Sequence, residues 1–304
     1  MLISIDHGNK QIKTVHCSPF VSGLQQSITK PFTPEILKYQ GTYFTHSEQR
    51  IPYRKDKTED DRFFILSQMA IAREIEALNC YSNDLMKIQL AIGLPPSHYG
   101  SQNKIFTQYF SRRDIIMYEY CDKPYSIYID KIICFPQAYA AAVTMIQLLI
   151  DCPKVIILDI GGFTADYLLM RHGKADLSTC DSLENGVILL YNKIRSKVNA
   201  ELDILLEESD IDTILKGQNS QFKPELVQIV EFQAQEFIND LFSTLRERML
   251  DLRTGKVVFV GGGAILLRKQ IEASGKVNDT LFINDINANA KGYEFLYQLE
   301  AAGR

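Results

Sequence analysis

Two segments of one design, about half a chain apart, constrain this sequence more than any other feature in it. Residues 155–170 (VIILDIGGFTADYLLM) run from the apolar stretch Val155 to Leu158, through Asp159, Ile160, Gly161, Gly162, Phe163 and Thr164, into a second stretch from Ala165 to Met170. Both stretches are short and rich in aliphatic and β-branched side chains, which reads as strands rather than helix. The adjacent glycines between them mark a tight hairpin whose backbone can take positive φ. Such a turn points successive N–H groups into one concavity, which suits phosphate oxygens. Asp159 sets a carboxylate beside that anion, an arrangement that makes sense with a divalent cation between them. One D-x-G-G segment alone reads as an acidic surface hairpin. Residues 2–16 (LISIDHGNKQIKTVH) repeat the plan, with Asp6 and Asp159 in the same place relative to strand and glycine. The recurrence predicts a duplicated fold with two phosphate hairpins.

Composition sets the bounds. At 304 residues the chain makes one large domain or two of ordinary size. A hydrophobic content of 46% with 23% charged residues describes a soluble globular protein with ample core. The formal net charge of −4 argues against a general nucleic-acid-binding surface. No apolar run reaches bilayer length, and the first residues enter a strand without a signal-like region. The six cysteines (Cys17, Cys80, Cys121, Cys134, Cys152, Cys180) are scattered without a C-x-x-C pair. They read as reduced thiols of a cytoplasmic protein, not as a zinc site or a disulfide framework.

Along the chain, residues 23–60 are polar, with Pro31, Pro34 and Pro52, and read as loops and short strands of an insertion. Helical spacing covers 61–79, a strand covers 87–94 and stops at Pro95 and Pro96, and a helix follows over 101–112. Two strands are predicted over 113–120 and 124–135, turning at Asp122 and Lys123. Residues 137–150 predict a helix whose alanine run admits a close neighbour. In the second half, a turn at 181–186 leads into a helix over 187–200, then helix or loop over 201–217 and a linker over 217–224. A long helix is expected over about 225–252, a strand over 256–260, a helix from Ala264 to Ser274, a strand over 280–283 and a closing helix over 287–300.

The chemical residues each carry a plain reading and a functional one. Gly261–Gly263 joins a strand to a helix and can present N–H groups to an anion while letting a flat group lie close. It is neither G-x-G-x-x-G nor a P-loop, and both hairpins run strand to strand, as those motifs do not. Gln137 reads as a solvated residue of a helix's first turn, or as an amide that orients a water for attack on a terminal phosphate. Lys10 and Lys13 are exposed lysines or phosphate-neutralising ones. Asp166 is a strand-surface acid or a group supporting the hairpin. Thr164 donates a hydroxyl or satisfies the turn, and His7 and His172 are structural or surface residues.

Together these segments carry a resemblance. Asp6–His7–Gly8, Pro136–Gln137–Ala138, Asp159 to Asp166 (DIGGFTAD) and Val260 to Ala264 (VGGGA) stand in the order of the motifs of the actin-like ATPase superfamily. Residues Asn287 to Gly292 (NANAKG) resemble its second connecting segment. Within the superfamily the chain looks most like the ParM/StbA group of bacterial plasmid-segregation proteins, through Leu94–Pro95–Pro96, Ser182 to Gly186 and its compact length. It departs from that group at Gln137, where an acid is frequent, and at His7.

The resemblance implies an α/β, actin-like (ribonuclease H-like) duplicated fold, two domains with nucleotide in the cleft between them, each on a five-stranded sheet. Domain I would span 1–150 with the helix 287–304 returning to it and 23–86 as subdomain IB. Domain II would span 151–286, with subdomain IIB over about 187–255. Asp6 and Asp159 would hold Mg²⁺ largely through water. Gly8, Asn9, Gly161, Gly162 and Thr164 would grip the phosphates, with Lys13 adding charge, and Gly261, Gly262 and Gly263 would contact the adenosine. Gln137, with Asp159, would position the attacking water.

The implied function is that of a cytoplasmic, cytoskeletal ATPase. ATP, or GTP, would drive head-to-tail self-assembly into a filament that partitions plasmid DNA through a DNA-binding adaptor, without touching DNA or membrane itself. The alternatives are a small-molecule kinase of the same superfamily and a non-polymerising nucleotide-binding actin homologue. A chaperone ATPase is disfavoured by length and a membrane-linked homologue by the lack of an amphipathic anchor.

Overall fold

The computed structural model describes residues 1–112, 114–218 and 220–303. Positions 113, 219 and 304 lie outside the described residues; they fall in the strand expected over 113–120, the linker over 217–224 and the returning segment 287–304. The chain divides into two compact units, Met1–Thr144 with Ile286–Arg304, and Met145–Asp285.

The first unit begins with β1 (Leu2–His7), β2 (Gln11–Thr14), β3 (Phe20–Val21), β4 (Leu24–Ser27), β5 (Ile36–Tyr39) and β6 (Thr42–His46). A 3₁₀ turn (Lys57–Glu59) leads to α1 (Arg62–Ala77), β7 (Met86–Leu94), α2 (Pro96–Ser111), β8 (Ile116–Tyr120), β9 (Lys123–Pro136) and α3 (Tyr139–Val143). The second unit comprises α4 (Ile146–Leu149), β10 (Val155–Ile160), β11 (Ala165–Arg171), β12 (Lys174–Leu183), α5 (Val187–Leu202), α6 (Glu208–Leu215), α7 (Pro224–Glu247), β13 (Lys256–Val260), α8 (Gly261–Leu266), α9 (Arg268–Ala273) and β14 (Asp279–Phe282). The chain then returns to the first unit as α10 (Ala288–Ala301).

The duplication is visible in strand order. The second unit's sheet runs β12-β11-β10-β13-β14, with β11 antiparallel to β10 and β13 parallel to it. In the first unit β3-β2-β1-β7-β9 repeats that order and those directions around β1. Every residue of β10 is buried, as befits a central strand covered on both faces. The register repeats too, because Asp6 pairs with Lys13 and Asp159 with Asp166.

Among the described residues the five-stranded expectation holds in the second unit and needs correction in the first, whose sheet has nine strands. There β8 continues the sheet past β9, and β5 adds to β8 through Leu37 opposite Tyr120 and Lys38 opposite Glu119. The Lys38–Glu119 ion pair, at 3.0 Å, crosses that seam. The polar stretch 23–60 thus spends its β-forming residues extending a sheet edge.

Several boundaries differ from the sequence expectation for local reasons. The helix expected over 137–150 is two short helices, α3 and α4. It breaks at Thr144, whose hydroxyl turns back to the Ala141 carbonyl at 2.6 Å, and at Met145, with ψ near 21°. The helix expected from Ala264 to Ser274 starts at the glycines themselves and is split at the fully buried Leu267. The long helix ends at Glu247, and Met249 takes φ 63° just beyond it. Strand β12 has no strong alternation in its sequence; a turn at His172 and Gly173, with φ of 46° and 75°, folds it onto β11.

Each unit has its own core. In the second, Ile156, Leu158 and Phe259 of the sheet meet Tyr191 and Ile194 of α5 and Phe237 and Leu241 of α7. In the first, the alanine run of α3 faces α10. A side chain at Gly292 would overlap the Ala140 carbonyl, so glycine there lets the two backbones touch. No helix among the described residues is long and apolar enough to cross a membrane.

Candidate functional site

In the first unit, β1 delivers Asp6 to the hairpin as a buried carboxylate, only 2% exposed. Gln137, at the far end of β9, donates from Nε2 to Asp6 Oδ1 at 2.9 Å. A carboxylate only accepts, so the orientation of the Gln137 amide is settled: nitrogen to Asp6, with Oε1 the end that can accept from a water. Lys13 lies opposite Asp6 across the hairpin, with Nζ 3.5 Å from Oδ2. Gln137 is itself buried, which corrects its reading as a solvated helix residue. Gly8 and Asn9, both half-buried, form the turn between β1 and β2.

The carbonyls of that turn are held from one side. The buried Lys57 amine donates to the His7 carbonyl, and Ser22 Oγ donates to the Gly8 carbonyl at 2.5 Å. In a trans peptide C=O and N–H point in opposite directions, so the N–H groups of Gly8 and Asn9 are turned the other way. His7 is a packing residue, stacked on Phe110 at 4.7 Å and edge-on to Phe106 at 5.8 Å. The Ser67 hydroxyl is engaged with the Phe63 carbonyl at 2.8 Å, so His7 Nε2 is the donor in the 2.7 Å contact with Ser67 Oγ. Burial, reinforced by the Lys57 cation, pushes the His7 pKa down to about 3.

In the second unit the same device is built from a helix. The first amides of α5 reach back to the hairpin: Gly186 N–H donates to the Phe163 carbonyl at 3.0 Å, Val187 to Gly161 at 3.1 Å and Ile188 to Gly162 at 2.9 Å. With these three carbonyls facing α5, the N–H groups of Gly162, Phe163 and Thr164 are directed to the opposite side. A Cβ at Gly186 would overlap the Gly162 carbonyl, so only glycine admits the helix this close. Gly161 N–H closes the turn on the Thr164 carbonyl at 2.8 Å. Thr164 Oγ1 donates to Asp166 Oδ2 at 3.1 Å, and Ser182 Oγ to Asp166 Oδ1, so Asp166 braces the hairpin from its second strand.

Asp159 is also buried, at 7% exposure. Gly261 lies against it with φ 89°; any side chain there would overlap Asp159 Oδ1, so the glycine run abuts the carboxylate. Gly261 and Gly263 are buried and Gly262 is half-buried. The structure thus gathers Asp6, Gly8, Asn9, Lys13 and Gln137 within the first unit, and Asp159, Gly161, Gly162, Thr164 and Gly261–Gly263 within the second. Sequence reading overlooked Ser22 and Lys57, and it quoted Ser182 and Gly186 for the resemblance without giving either a role. Only Gly186, following a strand and preceding a helix, carried a local signal.

Divalent-cation chemistry needs little more protein than this. Among the described residues no three His, Cys, Asp or Glu side chains converge, whereas Mg²⁺ is commonly held by one or two carboxylates with waters and phosphate oxygens completing its shell. Asp6 in the first unit and Asp159 in the second are each a buried carboxylate of the kind that mode uses.

The architecture defines an actin-like fold. It superposes on an archaeal actin homologue in complex with ADP with a TM-score of 0.75, at 18% identity, covering 98% of this chain and 99% of that one. A 15-stranded ParM filament structure from Clostridium botulinum is similar at TM-score 0.70, 19% identity and 98% and 99% coverage. Bacillus thuringiensis ParM with ATP is similar at TM-score 0.71, 10% identity and 99% coverage of both chains. More particularly, residues 157–273 match the family model of the archaeal actin homologue MreB-like C-terminal domain. No curated protein matches the chain by sequence.

Proposed function

We propose that this chain is a Mg²⁺-dependent, actin-like ATPase that assembles head-to-tail into filaments. The observation that carries the reading is the hairpin after β10, whose carbonyls are drawn onto α5 so that three successive N–H groups face the other way beside a buried carboxylate. That is an anion seat with a cation partner. The hairpin after β1 has the same polarity, and each hairpin is assigned to nucleotide phosphates.

Gly8, Asn9, Gly161, Gly162 and Thr164 bind phosphate oxygens and Lys13 adds charge, while Gly261–Gly263 lie against the adenosine. Asp6 and Asp159 would hold the metal, which would neutralise charge on the phosphates. Gln137 Oε1 accepts from the attacking water, with Asp159 helping to place it. Water oxygen bonds to the γ-phosphorus as the bond to the β–γ bridging oxygen breaks; the electron pair of that bond stays on ADP, and the water's protons leave with the phosphate. The side chains act by positioning and electrostatics.

Filament formation is supported by the ParM filament of the same fold over nearly the whole chain. At its finest the reading is plasmid partition through a DNA-binding adaptor, which suits a net charge of −4. The test is light scattering with simultaneous phosphate release, using Mg²⁺ with ATP, GTP or a non-hydrolysable analogue. Scattering that rises with nucleotide and decays after phosphate release supports the proposal. Turnover only on addition of a small-molecule acceptor, with no scattering, would move the protein to the kinases.

A further inference from the structure

Ala138 is the most constrained residue beside the candidate catalytic amide. It has φ 60° and ψ −56°, and its neighbours close a three-residue ring, with Tyr139 N–H donating to the Gln137 carbonyl at 2.5 Å. This is a γ-turn of the positive-φ kind, a strained conformation that an alanine adopts only when its surroundings impose it. Ala138 is fully buried, so its own N–H must find a partner inside the protein. That partner is distant in sequence: Asn289 Oδ1, on the first turn of α10, accepts it at 2.9 Å, and Asn289 is only 6% exposed.

We infer that Asn289 is a positioning residue for hydrolysis, clamping the Ala138 turn so that Gln137 is aimed at its working place. The inference rests on the role proposed for Gln137. On one side, the Gln137 N–H is fixed to the Leu94 carbonyl at 2.8 Å. On the other, Ala142 N–H holds the Ala138 carbonyl at 2.9 Å, so α3 is anchored immediately after the turn. Between these anchors the Ala138 peptide is the joint that can relax. Without an acceptor at 289 the buried N–H is orphaned, and the turn gains by rotating toward ordinary helical angles. Rotation about that joint swings the Gln137 side chain off Asp6. Asn289 reaches the turn because Gly292, one turn further along α10, lets the helix touch the Ala140 backbone.

The experiment compares single-turnover hydrolysis of saturating Mg²⁺–ATP with ATP affinity in the full chain. Asn289→Leu keeps the size and removes the acceptor, whereas Asn289→Asp keeps the acceptor. Expected are a loss of about tenfold or more in the hydrolysis step for Asn289→Leu, ATP affinity within about twofold of wild type, and near-wild-type turnover for Asn289→Asp. Adding Ala138→Gly to Asn289→Leu recovers part of the rate, because glycine takes positive φ without strain. Gln137→Ala sets the scale. If Gln137→Ala abolishes turnover while Asn289→Leu does not, the inference fails and the role of Gln137 stands. If Gln137→Ala leaves turnover intact, both fall. Parallel loss of ATP affinity and rate in Asn289→Leu, without rescue by Ala138→Gly, makes the residue merely structural and overturns the inference.

Discussion

Gln137 Nε2 and Asp6 Oδ1 stand 2.9 Å apart although 131 residues separate them in sequence. The bond joins the end of β9 to the end of β1 and leaves the Gln137 carbonyl as the acceptor. An amide is the neutral group of this shape that can sit against a buried carboxylate. Replacing it by an acid, Gln137→Glu, would press two carboxyl groups together, and the pair would then hold a proton well above the ordinary carboxylate range. A raised folded-state pKa disfavours the fold at neutral pH and ceases to do so on acidification. The melting-temperature gap between wild type and Gln137→Glu should therefore narrow as pH falls from about 7.5 to about 5. A gap independent of pH would count against the contact.

Gly186 tests the second hairpin. A methyl group there meets the Gly162 carbonyl, so Gly186→Ala should force α5 away from the hairpin and disturb three backbone hydrogen bonds. The expected cost is about 1–3 kcal/mol in denaturant unfolding, with weakened ATP binding. Wild-type stability and affinity in this variant would show that the helix does not brace the turn.

His7 should not titrate in the physiological range. Its folded-state pKa of about 3 lies below the unfolded 6.5, so the neutral form is favoured by folding. The associated stability is complete above 6.5 and is lost toward pH 3, by at most about 1.4 kcal/mol per pH unit. NMR of the His7 ring should show no shift between about pH 5 and pH 8. A midpoint near 6.5 would mean that the ring is not buried as described.

Glu74 braces the chain leaving the first hairpin. It is buried on α1 and accepts from the His16 N–H at 2.8 Å, His16 Nδ1 at 2.8 Å and the Cys17 N–H at 3.1 Å. Burial pushes its pKa up, but these donors outweigh burial and hold it below the ordinary 4.5. Its stabilisation is thus present above 4.5 and fades as pH falls through the lowered value. Glu74→Gln should cost about 1–3 kcal/mol at neutral pH and converge on wild type in acid. Equal stability at neutral pH would contradict the prediction.

What the sequence reveals of this fold is what local chemistry encodes. The hairpins after β1 and β10 are legible because glycines, aspartates and β-branched runs occur in fixed order, and because the order occurs twice. Strand β12 was not, since its side chains are mostly half-exposed and its alternation is weak. The joining of β5 to β8 depends on a partner far along the chain. Ala138 gives no sign of positive φ, because alanine is not a left-handed residue, and the Asn289 side chain that accepts its N–H comes from α10, far along the chain. Of the side chains that hold the first hairpin's carbonyls, Lys57 sits in the polar stretch 23–60 and Ser22 just before it, in sequence that resembles ordinary loop.

The most direct measurement is calorimetric titration of the purified chain with Mg²⁺–ATP, repeated with Asp6→Ala and Asp159→Ala. Nucleotide binding that each substitution weakens by about tenfold or more is the result expected of the proposed phosphate hairpins. Absence of nucleotide binding by the wild type, or wild-type affinity in either variant, would contradict it.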